Sequence, residues 1–194
     1  MQLFGKKKHL NTREKQGDPA FPPELLQKCK DGDRRAQKQL YDALSAKMFA
    51  VCLRYMGGRE AAEDVFQEGF VTVFTKLDSY SGDGSFEGWA RKIFVNTALM
   101  SLRKHDVLKQ SDDVDEARGI IADTPSATAQ IGYKELLKLI AALPPGLRTV
   151  FNMYVIEGYS HKEIGEALGI SEVTSRSQLQ RARVTLQKKI KELY

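Results

Sequence analysis

Apolar residues recur at helical spacing through two stretches of this chain and lose that spacing between them. In the first stretch, Ala36, Leu40, Leu44, Phe49 and Leu53 mark the inner side of a helix over 35–55, preceded by a short helix over 25–30. Gly32 and Asp33 separate the two, and Gly57-Gly58 ends the longer one. Ala62, Phe66, Phe70, Val73 and Leu77 place a third helix at 59–77. A loop, SYSGDGS, covers 79–85. Ser85 then caps a fourth helix ending near Lys104, with Phe86, Trp89, Ala90, Ile93 and Thr97 toward the core. No alternating strand pattern of useful length appears.

The period disappears over 106–130, where DVLKQSDDVDEARG and DTPSATAQ form an acidic, Ser/Thr-rich linker. Helices resume at 131–143. Pro144-Pro145 breaks the chain at the start of a helix over 146–156. The segment EGYSHKEIGEALGISEVTSRSQLQRAR, 157–183, then carries helix-turn-helix punctuation. Ser160 and Glu163 have capping-box spacing, and Gly169 supplies a left-handed stop after Leu168. Ser171 caps a second, longer helix, with Glu172 beside its positive end. These patterns predict an all-α protein: a tail over 1–21, helical domains over 22–105 and 131–194, and the acidic linker over 106–130.

Charge sharpens this division. The net +5 divides as +3 in 1–21, +2 in 22–105, −4 in 106–130 and +4 in 131–194. A basic C-terminal unit behind an acidic tether suits a nucleic-acid binder. Cys29 and Cys52 stand far apart and outside any CxxC, which argues for a reducing compartment and against a disulfide framework. His9, His105 and His161 do not cluster with cysteine, so no zinc motif is present. GKKK at the N-terminus lacks the apolar run of a secretory leader, and no segment approaches membrane-spanning length. The expected location is the cytoplasm, and no cofactor is implied.

Three surfaces carry candidate chemistry. On the last helix, Leu179, Ala182, Leu186, Ile190 and Leu193 face a core, leaving Arg176, Gln180, Arg183 and Gln187 on the opposite stripe, flanked by Ser177 and Arg181. No acidic residue lies between Glu172 and Glu192, whereas a merely solvated helix face mixes both signs. Arg, Gln and Ser on one face suit base edges and phosphates. On the fourth helix, Lys92, Asn96, Leu99 and Arg103 form an outer face beside Arg91 and Val95, with Tyr80 in the preceding loop. Cations and amides beside aromatics suit an unstacked DNA strand, although Phe86 and Trp89, Trp89 above all, also read simply as core. On the third helix, Asp64, Gln67, Glu68 and Thr72 lie outside, extended by Glu60 and Glu63. That patch reads as a solvated face, a protein-docking face, or a magnesium site of a helical nucleotide hydrolase, which would need a second acidic helix opposite.

The combination resembles the extracytoplasmic-function (ECF) sigma factors, small two-domain bacterial transcription initiation subunits. The resemblance spans residues 25–190. It rests on AAEDVFQEGFVTVFTKLDSYSGDGSFEGWARKIFVNTALMSLRK and LPPGLRTVFNMYVIEGYSHKEIGEALGISEVTSRSQLQRAR, in that order with the linker between. It implies a non-enzymatic subunit that binds core RNA polymerase, recognises minus-ten and minus-thirty-five promoter elements and promotes DNA opening. Its partners would be core polymerase, promoter DNA and an anti-sigma factor, with no small-molecule substrate. It further implies that 22–105 is sigma region 2. There Asp64, Gln67 and Glu68 would dock on polymerase, and Tyr80, Lys92, Asn96 and Arg103 would serve the minus-ten region. The unit over 131–194 would be region 4, with Arg176, Ser177, Gln180, Arg181 and Arg183 at the minus-thirty-five element. The linker matches the segment threaded into the RNA exit path. This chain departs from the family at Val173, commonly Gly, and at Gln180, often aromatic or basic. A free-standing helix-turn-helix regulator is the competing function, but it leaves the Asn96 face and the acidic patch unexplained.

Overall fold

A computed structural model describes residues 21–104 and 129–193. The expected tail lies outside the described residues except for Phe21, which is 4% exposed and packs on Phe86, and the expected linker except for Ala129 and Gln130, which already begin a helix. Eight α-helices follow in order: α1 Pro23–Lys30, α2 Arg34–Met56, α3 Arg59–Thr75, α4 Phe86–Lys104, α5 Ala129–Ala141, α6 Pro145–Phe151, α7 His161–Leu168 and α8 Glu172–Leu193. A 3₁₀ turn, Leu77–Ser79, follows α3, and a π turn, Asn152–Ile156, follows α6. Among the described residues there is no strand.

α2 is the axis of the first half, and α1, α3 and α4 pack around it. Asp33 starts α2 by accepting from the backbone N–H groups of Arg35 at 2.8 Å and Ala36 at 3.1 Å. Gly57 ends it in the left-handed conformation, φ 74°. Leu40, Leu44, Met48 and Cys52 have no exposed surface, and each of the first three contributes about 1.5–3 kcal/mol by leaving water. α3 and α4 approach closely at Gly69, because a Cβ there would collide with the Phe94 ring. Phe66, Phe70 and Phe94 cluster at that point, with centroids 5.0–6.0 Å apart.

The inner positions expected on α2 and α3 are buried or packed against the core, but α4 needs correction. Val95 is 1% exposed and Leu99 4%, so both are core rather than outer-face residues. α4 lies against both α2 and α3, and its buried arc therefore exceeds a single stripe. In the second half, the helix expected over 146–156 is α-helical only to Phe151 and continues as the π turn. Leu179, Ala182 and Leu186 of α8 are buried as expected, whereas Ile190 is 40% exposed.

The two halves meet along α2. Its neighbours include α5 and α6, and the buried cluster of the first half continues into Val150, Met153, Ile164, Ala167 and Leu179. A polar seam accompanies this apolar contact. Arg148 of α6 is 6% exposed and donates to the main-chain oxygens of Tyr55 and Met56, both at 3.0 Å. It also donates to those of Ala141 at 2.8 Å and Leu143 at 3.1 Å. One guanidinium thus closes the C-terminal ends of α2 and α5 together, where helix carbonyls lack intrahelical partners and the dipole favours a cation. Burial pulls its pKa down to about 10, so it remains charged at neutral pH. Asn152 opens the π turn and donates to the Arg54 main-chain oxygen at 2.8 Å.

Candidate nucleic-acid interface

The helix-turn-helix is built as its punctuation predicts. Ser160 accepts from the Glu163 N–H at 3.3 Å, and the Glu163 carboxylate accepts from the Ser160 N–H at 2.8 Å, completing the capping box. Gly169 ends α7 at φ 70°. Ser171 Oγ accepts from the Thr174 N–H at 3.0 Å, capping α8. Gly165 has a role that spacing did not reveal. A Cβ there would lie 2.7 Å from the Ile170 carbonyl oxygen, so its bare Cα lets the turn fold tightly back onto α7. Ile164, Ala167 and Leu179 fill the angle between the helices.

A second bracket supports α8. His161 Nδ1 lies 2.9 Å from the hydroxyl of Ser175, a residue with no exposed surface, and the Tyr154 ring stacks on the imidazole at 4.4 Å. Burial, followed by the charge of Arg176, lowers the His161 pKa and favours the neutral ring.

With Leu179, Ala182 and Leu186 turned inward, Arg176, Ser177, Gln180, Arg181, Arg183 and Gln187 are all exposed on α8. Arg176 is braced by Glu172 of the preceding turn at 3.0 Å. Val173 is 72% exposed and stands at the tip of the helix beside that pair. This surface is rigidly backed, cationic and amide-rich, and its geometry suits a groove lined by phosphates.

The second candidate surface gathers around the start of α4. Tyr80 donates its hydroxyl to the Gly84 carbonyl at 2.7 Å, closing the loop before the helix. Its ring lies 5.2 Å from Phe86 and 5.6 Å from Trp89, centroid to centroid. Phe86 is fully buried, while Tyr80 and Trp89 are half-buried and border the solvent. Along α4, Lys92 and Arg103 are exposed and Asn96 half-buried. Leu99 and Val95 leave this face for the core, while Met100, between Asn96 and Arg103 in the sequence, is 63% exposed. Arg91 forms a bidentate pair with Glu157 of the other half, a contact that sequence spacing could not indicate.

On α3, Asp64, Gln67 and Glu68 are exposed along one stripe, which continues into Val71, 66% exposed. Glu63 is paired to Arg59 at 2.7 Å. Among the described residues Asp64 and Glu68 have no cationic partner, and no three of His, Cys, Asp or Glu gather in a metal-binding arrangement. Val71, one turn beyond Glu68, thus adds an exposed apolar side chain to the end of the acidic stripe. Among those residues, no helix is long and apolar enough to cross a membrane. Cys29 and Cys52 are unpaired and buried; burial pushes the Cys52 thiol up to about 12, making it a packing group.

Comparisons with known proteins match both halves of the chain. The family model described as Sigma-70 region 2 matches residues 40–107, and Sigma-70, region 4 matches residues 133–186. The ECF RNA polymerase sigma-E factor of Escherichia coli strain K12 is 29% identical over 180 residues, covering 87% of this chain and 94% of that protein. The ECF RNA polymerase sigma factor SigE of Mycolicibacterium smegmatis is 30% identical over 145 residues, 72% of this chain and 56% of that one. Among solved structures, the Bartonella quintana sigma factor RpoE, crystallised with the anti-sigma factor NepR, aligns with a TM-score of 0.53. It is 22% identical and covers 79% of this chain and 96% of that one, a likeness of fold. Two sigma-70 region models in their usual order together match well over half of the chain, and with relatives of this kind it belongs to the ECF sigma factors.

Proposed function

We propose that the chain divides sigma-factor work among three surfaces. The α3 stripe of Asp64, Gln67 and Glu68 docks on core RNA polymerase. Tyr80, Lys92, Asn96 and Arg103 hold the opened strand of the minus-ten element, with Asn96 pairing to a base edge that only an extruded nucleotide offers. Arg176, Ser177, Gln180, Arg181 and Arg183 enter the major groove of the minus-thirty-five element. An anti-sigma factor is the expected controlling partner.

The observation that carries this reading is the α8 face: every exposed residue from Arg176 to Arg183 is polar or cationic, and the buried side is continuous with the domain core. An Arg contacting a guanine edge through two hydrogen bonds discriminates by about 1–3 kcal/mol. Arg176→Ala in holoenzyme should therefore weaken upstream-element binding and flatten its sequence preference, as read by competition titrations with single-base variants. Equal loss of affinity for every variant would make Arg176 a phosphate anchor instead.

A free-standing regulator would need only the helix-turn-helix. The exposed Asp64–Glu68–Val71 stripe favours the polymerase-bound reading over it.

A further inference from the structure

Met100 is the one apolar side chain of α4 that stands exposed, at 63%. It falls on the face proposed above for the opened strand. Asn96 lies one turn before it and Arg103 one turn after, and residues so spaced are neighbours on a helix surface. Helical side chains lean toward the helix N-terminus, which carries the Met100 thioether over the turn that holds Asn96.

The surroundings of Met100 are cationic. The other exposed residues of α4 are Lys92, Arg103 and Lys104. Among the described residues no carboxylate pairs with any of the three. The single acidic residue of the helix, Glu87, sits in its first turn and is held by Lys47 at 2.6 Å. An isolated exposed methionine is ordinary on a surface of mixed charge. Here the charge has one sign, and a polyanion drawn onto the helix is pressed against the methionine. A single strand supplies both parts of that pattern: phosphates for the cations, and unpaired base faces for an apolar side chain.

Methionine suits a base face. Its thioether is unbranched and polarisable and makes favourable contacts with aromatic rings. It is also among the side chains that enter between unstacked bases. The four residues from Asn96 to Met100 rise about 6 Å, more than the roughly 3.4 Å per nucleotide of a stacked strand. Met100 therefore meets a neighbouring nucleotide rather than the one at Asn96. We propose that Met100 is an apolar platform for an unpaired base of the minus-ten strand, adjacent to the base read by Asn96, and keeps that base from restacking. The contact reads the presence of a free base face, not its hydrogen-bonding edge. It adds affinity for opened over paired DNA with little sequence preference. The inference rests on the assignment of α4 to the opened strand.

The test uses holoenzyme and a forked oligonucleotide with a single-stranded minus-ten segment. Met100→Ala should bind the fork on the order of fivefold more weakly, and Met100→Leu should stay within about twofold of the unsubstituted protein. The salt dependence of Met100→Ala should keep its slope, because no phosphate contact is lost, whereas Lys92→Ala should flatten it. Each nucleotide of the segment is then replaced singly by an abasic sugar, which keeps the phosphate and removes the base. At one position the unsubstituted and Met100→Ala holoenzymes should bind equally, and that position should adjoin the one where the effect of Asn96→Ala vanishes. Undiminished fork affinity in Met100→Ala, an equal loss in Met100→Leu, or a loss that persists on every abasic fork overturns the proposal. So does a loss of affinity for core polymerase in place of the fork, which would make Met100 part of a protein contact. If Lys92→Ala and Asn96→Ala also leave fork binding unchanged, the α4 assignment itself has failed. If they weaken it and Met100→Ala does not, only the platform has.

Discussion

The guanidinium of Arg148 and the main-chain oxygen of Tyr55 meet at 3.0 Å although 93 positions separate them in the chain. Tyr55 lies in the last turn of α2, where carbonyls have no intrahelical donor. Gly57 makes room for the contact, since a Cβ there would collide with the same guanidinium. A residue of the second half thus finishes a helix of the first.

Arg148→Met should be strongly destabilising. It leaves the Ala141, Leu143, Tyr55 and Met56 carbonyls without this donor, and each buried unpaired group costs about 1–3 kcal/mol. Water entering at the seam offsets part of that, so a loss of about 3 kcal/mol is expected by denaturant titration. A change below about 1 kcal/mol would show that the guanidinium is replaceable.

Asp64→Ala combined with Glu68→Ala should leave the melting temperature unchanged, because both carboxylates are exposed and take no part in the core. Affinity for core polymerase should fall, by on the order of 1–3 kcal/mol for each contact desolvated at the interface. Unchanged affinity in a pull-down titration would remove α3 from the docking surface.

Val173→Gly addresses the family departure. Val173 would leave a cavity on truncation if it packed in the core. At 72% exposure it does not, so only a few tenths of a kcal/mol of helix propensity are lost. Removing the branched side chain lets the first-turn N–H groups approach a phosphate. Binding of the upstream element should tighten, with little shift in melting temperature. Weaker binding would mean that the isopropyl group itself contacts DNA.

Asn96→Ala should lower promoter opening more than initial closed binding, because the base edge it would pair with is hidden in the duplex. Permanganate reactivity of the opened segment, measured at saturating holoenzyme, is the check. Reactivity equal to that of the unsubstituted protein would remove Asn96 from strand capture.

The helices were legible because each half carries a clear helical period, and the helix-turn-helix because Ser160, Glu163, Gly169 and Ser171 each have a local backbone duty. α4 was harder. Val95 and Leu99 fall on its outer side by simple periodicity, yet α2 and α3 together cover a wider arc than one stripe. The seam was hidden for a different reason: Arg54, Arg91, Arg148 and Glu157 look like ordinary surface charges in the sequence. One signal was available in the run LPPGLRTVFNMYVI, where Arg148 is the sole charged residue among apolar neighbours and would need a buried partner. The proposed docking stripe is legible in the sequence at Asp64, Gln67 and Glu68, whereas exposed Val71 merges with the apolar period that includes Val73.

The division of labour is tested most directly by promoter-dependent transcription with purified core RNA polymerase. The protein should direct a discrete start on a template carrying both promoter elements. Arg176→Ala should lose dependence on the upstream element, and Asn96→Ala should fail at opening. A discrete transcript that neither substitution affects would contradict the assignments on α8 and α4, and no transcript above core enzyme alone would contradict the initiation role itself.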